Sequence, residues 1–191
     1  EAFLDDYAFL SWGLLELYEA TGEPQWLAEA ARLSRQMVEQ FQDPRDGGLF
    51  LSGRRNEALI AQTKELYDGA LPSGNSVAAL ALSRLALMPG DAGMEAAAQR
   101  LFAAFAGQVE QAPHAFPQFL IALDLWLGPS REIVLAGDPA DAGLRQLLRA
   151  VHRTVLPRAV LLVHPASGEA ARRIEALAPF TAAQRPQDGL A

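Results

Sequence analysis

The 191-residue sequence contains no cysteine, which excludes disulfides, cysteine-ligated zinc and thiol catalysis. It has no apolar run approaching the roughly 20 residues that a membrane-spanning helix needs. Its 16 Lys and Arg residues are outnumbered by 23 Asp and Glu, and they form no cluster with aromatics, which disfavours nucleic-acid binding. Because no signal peptide is present either, we expect a cytoplasmic protein without membrane or nucleic-acid partners.

Half of the residues are hydrophobic, which is typical of a globular chain with one good core. The sequence begins with Glu1 rather than Met, inside what reads as a helix. We therefore expect a fragment excised from a longer protein. The exposed apolar flanks of such a fragment are expected to allow it to pair as a dimer.

Two helical patterns alternate in the first two thirds of the chain. Three segments are apolar on nearly every side and predict buried helices at residues 3–20, 76–88 and 115–127. Between them, two segments with one apolar stripe and one polar face predict outer helices at residues 24–42 and 91–107. This alternation predicts a mainly α fold over residues 1–128, in which antiparallel helical hairpins form a ring.

The alternation also places the N-termini of the three buried helices at one end of the molecule. Polar residues converge there from Asp5-Asp6-Tyr7, from the segment between Asp68 and Ser76, and from Pro113-His114. The connection that leads to the second of these runs from about residue 43 to 74, and connections of that length tend to be functional. We therefore expect a binding site at this end.

The remainder of the chain has a different pattern. Residues 129–178 predict a β-α-β-α segment, with parallel strands at residues 132–136 and 158–163. Two strands make a poor sheet alone, so a third strand, a partner chain or the helical body must cover them. The Pro-, Gly- and Gln-rich residues 179–191 predict a loose tail.

Four short runs carry a resemblance to a known family: LDDYAFL at residues 4–10, GGLF at 47–50, YDGA at 67–70 and PSGNSVAA at 72–79. On these runs the chain resembles the C-terminal part of the YyaL-like, spermatogenesis-associated family of thioredoxin-domain proteins. The family favours Glu where this chain has Asp5, and it tends to finish with a short Cys-containing segment that this sequence lacks.

The resemblance implies a specific architecture and a class of ligand. The helical region would be part of an (α/α)6 toroid similar to sugar epimerases and six-hairpin glycosidases, with about five of its helices present. The N-terminal thioredoxin-like domain of the parent protein would be absent. The implied ligand is carbohydrate-like, with no cofactor.

An acid–base pair for sugar chemistry requires two groups whose pKa values are tuned apart. Asp6 and Asp68 are the carboxylates that we predict to be catalytic, as a glycosidase would use them. The resemblance to epimerases makes His114 of interest, since it is the only histidine at the polar end. The alternative is structural, because carboxylates such as Asp5 and Asp6 favour the start of a helix.

We predict that the hydroxyl groups of the ligand bind to Tyr7, Lys64, Ser73 and Asn75. Each has a structural alternative. Tyr7 suits a core aromatic position, and either Ser73 or Asn75 can cap the helix that follows. Lys64 precedes Asp68 by one turn if that stretch is helical, so the two can form an ion pair. No cluster of His, Asp and Glu shows metal-ligand spacing, so no metal is expected.

Two functions therefore remain open. The first is binding of a carbohydrate-like ligand, with its isomerisation or hydrolysis. The second is a non-catalytic scaffold that serves a thioredoxin-like domain. An enzyme requires Asp6 and Asp68 to face one cavity within about 10 Å of each other. Carboxylates occupied by backbone amides and Lys64 would favour the scaffold.

Overall fold

A computed structural model describes residues 2–56, 61–138 and 140–184. The predicted order of helices and strands is confirmed. The elements are α1 (Leu4–Thr21), α2 (Pro24–Phe41), α3 (Gly74–Leu87), α4 (Ala92–Gln111), α5 (Pro117–Leu127), β1 (Arg131–Gly137), α6 (Ala142–His152), β2 (Ala159–Pro165) and α7 (Gly168–Leu177). Short 3-10 helices lie at Pro113–Ala115 and Pro179–Ala183. In the part of the chain that the structure describes, no helix is long and apolar enough to cross a membrane.

The helical body is a row of three helices, α1, α3 and α5, with α3 in the middle. α2 packs on α1 and α4 packs on α3, as expected for hairpins with an inner and an outer member. α3 is buried along almost its whole length, including the charged residue Arg84. Arg84 is paired with Glu16 and Glu19 of α1, at 2.6 and 3.0 Å. These ion pairs satisfy a guanidinium that would otherwise be buried without a partner.

The prediction that α1 and α5 are buried on nearly every side is wrong. Leu10 and Leu17 of α1 are 54% and 45% exposed, and Ile121 and Leu127 of α5 are 53% and 73% exposed. The reason is positional: these helices end the row, and within residues 2–56, 61–138 and 140–184 no further helix packs on their outer sides. The closed ring and the dimer remain predictions.

The small sheet is parallel, with Arg131 opposite Ala159 and Gly137 opposite Pro165. One face carries Ile133, Leu135, Leu161 and Val163 and is covered by α6. The other face carries Val134, Val160 and Leu162, which join the core of the helical body together with Ile174 of α7. The helical body is therefore what covers one face of this sheet, which the sequence left open among three alternatives.

The C-terminal end of α1 also holds the outer edge of β2. Val163 donates its N–H to the Tyr18 hydroxyl oxygen at 3.1 Å, and Leu161 donates its N–H to the Glu19 carboxylate at 3.3 Å. Tyr18 is fully buried, and this burial raises the pKa of its hydroxyl above the ordinary value. Side chains of α1 thus take the place of a neighbouring strand.

The predicted loose tail differs from the structure over Pro179–Ala183. These residues form a 3-10 helix, and Thr181 within it is fully buried. Gln184 follows, and its carbonyl oxygen lies 3.1 Å from Nδ1 of the buried His164. The remaining tail residues, 185–191, lie outside the described residues.

Replacing Tyr18 with Phe tests the attachment of the sheet to the helical body. Tyr18→Phe leaves the Val163 N–H buried without an acceptor, and we expect the free energy of unfolding to fall by about 1–3 kcal/mol. Tyr7→Phe is the matched control, because Tyr7 is half-buried and its hydroxyl accepts a hydrogen bond from the Gln40 side chain. It should cost less, since water can replace that bond. Urea denaturation of both variants measures the difference, and equal losses would contradict this attachment.

Candidate functional site

The polar end of the molecule is built on the long connection between α2 and α3. The connection turns at Gly47 and Gly48, whose φ angles of 71° and 72° lie in the left-handed region that favours glycine. It then returns alongside the helices, where Leu49 pairs with Gln42 in an antiparallel bridge. Leu51 accepts the first N–H of α1, from Leu4, at 3.0 Å. The loop is therefore attached to both α1 and α2 before it reaches α3.

Asn75 fastens this loop to the start of α3. Its side chain is fully buried, and its amide accepts the Leu49 N–H at 2.9 Å and donates to the Leu49 carbonyl at 2.9 Å. It also donates to the Glu65 carbonyl at 2.8 Å. Since the amide side chain is bonded on both of its ends, Asn75 closes the loop and presents no free group to a ligand.

Ser73 is the N-cap of α3, as one of the structural alternatives predicted. Its hydroxyl oxygen accepts the Ser76 N–H at 3.2 Å. The same hydroxyl donates to the Leu66 carbonyl at 2.9 Å, and it is buried. Capping of the helix thus uses this hydroxyl as an acceptor, and anchoring of the loop uses it as a donor.

Asp68 joins α3 to α5. One carboxylate oxygen accepts the Ser73 N–H at 2.9 Å, and the other accepts the N–H groups of Gln118 and Phe119 at 2.9 and 3.2 Å. The residue is 8% exposed. The backbone adds a further link, because Asp68 donates its N–H to the Ala115 carbonyl at 3.0 Å. The carboxylate therefore caps the first turn of α5 from a distant part of the chain.

Lys64 does not pair with Asp68, so that alternative is wrong. Its ammonium group binds the Asp43 carboxylate and the Gly47 carbonyl, both at 2.7 Å, and lies over the Phe50 ring. The hydrogen bond from Lys64, with N–H groups of the turn, holds the pKa of Asp43 at about 2. Residues 64–68 form no helix, so the one-turn spacing that would bring Lys64 and Asp68 together is absent.

The two remaining predicted residues lie at the start of α1. Asp6 is exposed, and its carboxylate accepts the Phe3 N–H at 2.8 Å. Tyr7 is half-buried, packs edge-on against Phe41, and accepts a bond from the Gln40 side chain at 3.0 Å. Both therefore have partners within the protein. His114 is exposed in the 3-10 helix before α5.

Besides the exposed Asp6 and His114, three accessible residues at this end were not predicted from the sequence to bind a ligand: Asp5, Glu65 and Tyr67. Asp5 and Glu65 are exposed acidic residues whose charges interact. The pKa of Asp5 is raised, first by the partial burial of its carboxyl group and then by the charges of Glu65 and Asp6. Tyr67, two residues after Glu65, is 69% exposed. A Cβ at Gly74 would overlap the Asp5 carboxylate, so glycine is required for this approach of α1 to α3.

In the sequence, residues 65–68 show no alternation of polar and apolar residues, because the run is Glu-Leu-Tyr-Asp. Residues 65–68 alternate between exposed and buried positions, with Glu65 and Tyr67 outward and Leu66 and Asp68 inward. A period of two is the mark of a half-buried extended segment. The sequence therefore carried no signal that Asp68 is buried and Tyr67 is exposed.

Comparison with known proteins finds similar sequences that are much longer than this chain. Spermatogenesis-associated protein 20 of mouse is 36% identical over 184 residues, which is 96% of this chain but 23% of that protein. The human protein of the same name is 34% identical over the same length. The chain is a partial match to the spermatogenesis-associated protein 20 family. An uncharacterised protein of Caenorhabditis elegans is 33% identical over 138 residues. No family model matches the chain.

The chain thus spans less than a quarter of the length of these curated relatives of the spermatogenesis-associated protein 20 type. Their names state an association with spermatogenesis and no activity. The predicted catalytic and ligand-binding roles at the polar end therefore stay predictions, and their support must come from geometry.

Asp68→Ala should destabilise the fold strongly, because it leaves three buried or partly buried N–H groups without an acceptor. We expect the free energy of unfolding to fall by about 2–4 kcal/mol. Asp6→Ala is the matched control, since it removes an exposed carboxylate with one N–H partner, and it should cost less than half as much. Both are measured by urea denaturation. Equal effects would show that Asp68 is not the junction described.

The Asp43–Lys64 pair predicts a dependence of stability on pH. The folded-state pKa of Asp43 is about 2, below its ordinary value of 3.8, so ionised Asp43 favours the folded state. This contribution is complete above about pH 4 and is lost as the pH falls toward 2. Asp43→Asn should therefore flatten the change in unfolding free energy between pH 4 and 2, measured by denaturation at each pH. An unchanged slope would contradict the pairing.

Proposed function

We propose that this segment is a non-catalytic scaffold within a longer protein. The observation that carries the proposal is the occupation of Asp68, whose two carboxylate oxygens accept three backbone N–H groups. A general acid must exchange a proton with a substrate, and a carboxylate enclosed by backbone donors has no room for one. Asp68 is better suited to fixing the positions of α3 and α5.

The other predicted site residues support the same conclusion. Asn75, Ser73 and Lys64 each bond to backbone carbonyls of the long connection. Their polar atoms hold the loop against the helices and do not extend into an open cavity. A rigid polar end of this kind is fit to carry a neighbouring domain, which the family resemblance implies to be thioredoxin-like.

A carbohydrate-like ligand is the second candidate, and the exposed group of Asp5, Glu65 and Tyr67 favours it. Two neighbouring carboxylates supply hydrogen-bond acceptors for hydroxyl groups, and the exposed tyrosine adds an aromatic face. The raised pKa of Asp5 is the kind of shift found at functional sites. This ligand would contact Asp5 and Glu65 in place of the predicted pair Asp6 and Asp68.

A thermal-shift screen of the full-length protein against a panel of mono- and disaccharides separates the two functions. The scaffold predicts no change in Tm with any sugar. The second candidate predicts a rise in Tm with at least one sugar, because a ligand that binds the folded state stabilises it. In that case Asp5→Asn and Glu65→Gln should abolish the rise.

The matched control for this screen is Glu39→Gln, which neutralises an exposed carboxylate on α2. It should leave any sugar-induced rise unchanged. A rise that survives Asp5→Asn and Glu65→Gln but disappears in Asp68→Asn would contradict both assignments and restore Asp68 as a ligand-binding group. Urea denaturation of each variant shows whether the fold itself is intact.

A further inference from the structure

Among the residues that the structure describes, one edge of the sheet has no hydrogen-bond partner. Arg131 donates its N–H to the Arg158 carbonyl at 2.8 Å, and in a parallel ladder the bonds to one neighbour recur at every second residue. Residues with odd numbers in β1 therefore bond to β2. The backbone groups that point away from β2 belong to Glu132, Val134 and Ala136. Within the described ranges of the chain, no hydrogen bond reaches these backbone groups.

The opposite edge of the sheet is closed. Along β2 the N–H groups that point away from β1 are those of Leu161 and Val163. They donate to Glu19 and Tyr18 of α1, as described above. A further strand therefore has access to the β1 edge and not to the β2 edge.

The composition of β1 agrees with a central rather than an edge position. Its residues 133–136, Ile-Val-Leu-Ala, form a continuous apolar run. Such runs are typical of parallel strands paired on both sides, whereas edge strands usually carry charges, Pro or bulges that prevent pairing. An open edge of this composition would otherwise be a site for aggregation.

The placement of the two sheet helices indicates where the missing strand comes from. α6 covers one face of the sheet and α7 the other. Connections between parallel strands are right-handed in nearly all sheets. A connection whose helix lies on one face therefore places its next strand to one side of the previous strand, and a connection on the other face places it to the opposite side. The chain moves from β1 to β2 through α6. It therefore returns through α7 toward the β1 side.

We infer that the free edge of β1 binds a third strand, parallel to it, supplied by the polypeptide that follows Gln184. The resulting sheet has the order third strand, β1, β2. The inference does not depend on the proposed function.

Amide hydrogen exchange at single-residue resolution tests this pairing. Two proteins are compared: the natural full-length protein and the same protein ending at Gln184. In the full-length protein, the amides of Glu132 and Val134 should exchange at least about tenfold more slowly than in the truncated one. The internal control is the pair Ile133 and Leu135, whose amides bond to β2 and should stay protected in both.

Three results would overturn the inference. The first is equally fast exchange of Glu132 and Val134 in both proteins, with Ile133 and Leu135 protected. The second is fast exchange of Glu132 and Val134 in the full-length protein by itself, which decides the case even if the truncated protein does not fold. The third is protection that rises with protein concentration, since that would identify a second copy as the occupant. Cross-strand NOEs from Val134 to a residue beyond 184 would support the inferred pairing directly.

Discussion

The arrangement of the helical body depends on the Asp68 carboxylate. A helix begins with N–H groups that have no partner within the helix, and α5 begins at Pro117 without a capping side chain from its own N-cap residue. Asp68 supplies the acceptor from 50 residues before Gln118, and it binds the N–H of Ser73 at the start of α3 at the same time. The ends of two neighbouring helices are thus held by one charged group.

The same principle governs the rest of the polar end. A long connection that is buried against helices must find partners for its backbone groups, because water cannot reach them. Asn75 bonds to Leu49 and Glu65, and Ser73 bonds to Leu66. The richness of polar residues in this stretch therefore reflects loop closure, and the accessible groups at this end include Asp5, Asp6, Glu65 and Tyr67.

Much of the fold could be predicted from the sequence. Hydrophobic periodicity located α1 to α5 and the β-α-β-α segment, since it depends on local spacing alone. The convergence of helix N-termini at one end also followed, and the contacts of Asp68 with Ser73 and Gln118 confirm it. The exposure of Leu10 and Ile121 could not be predicted, because an apolar side chain is buried only if something packs on it.

The sequence by itself determined which residues form helices and strands, and which end of the molecule is polar. Only the tertiary structure decided what those polar groups do. Lys64 illustrates the difference: its charge was visible, but its partner Asp43 lies twenty-one positions earlier and meets it through a turn at Gly47 and Gly48. Hydrogen bonds are short and directional, so their partners depend on how distant segments meet, which local sequence patterns do not specify.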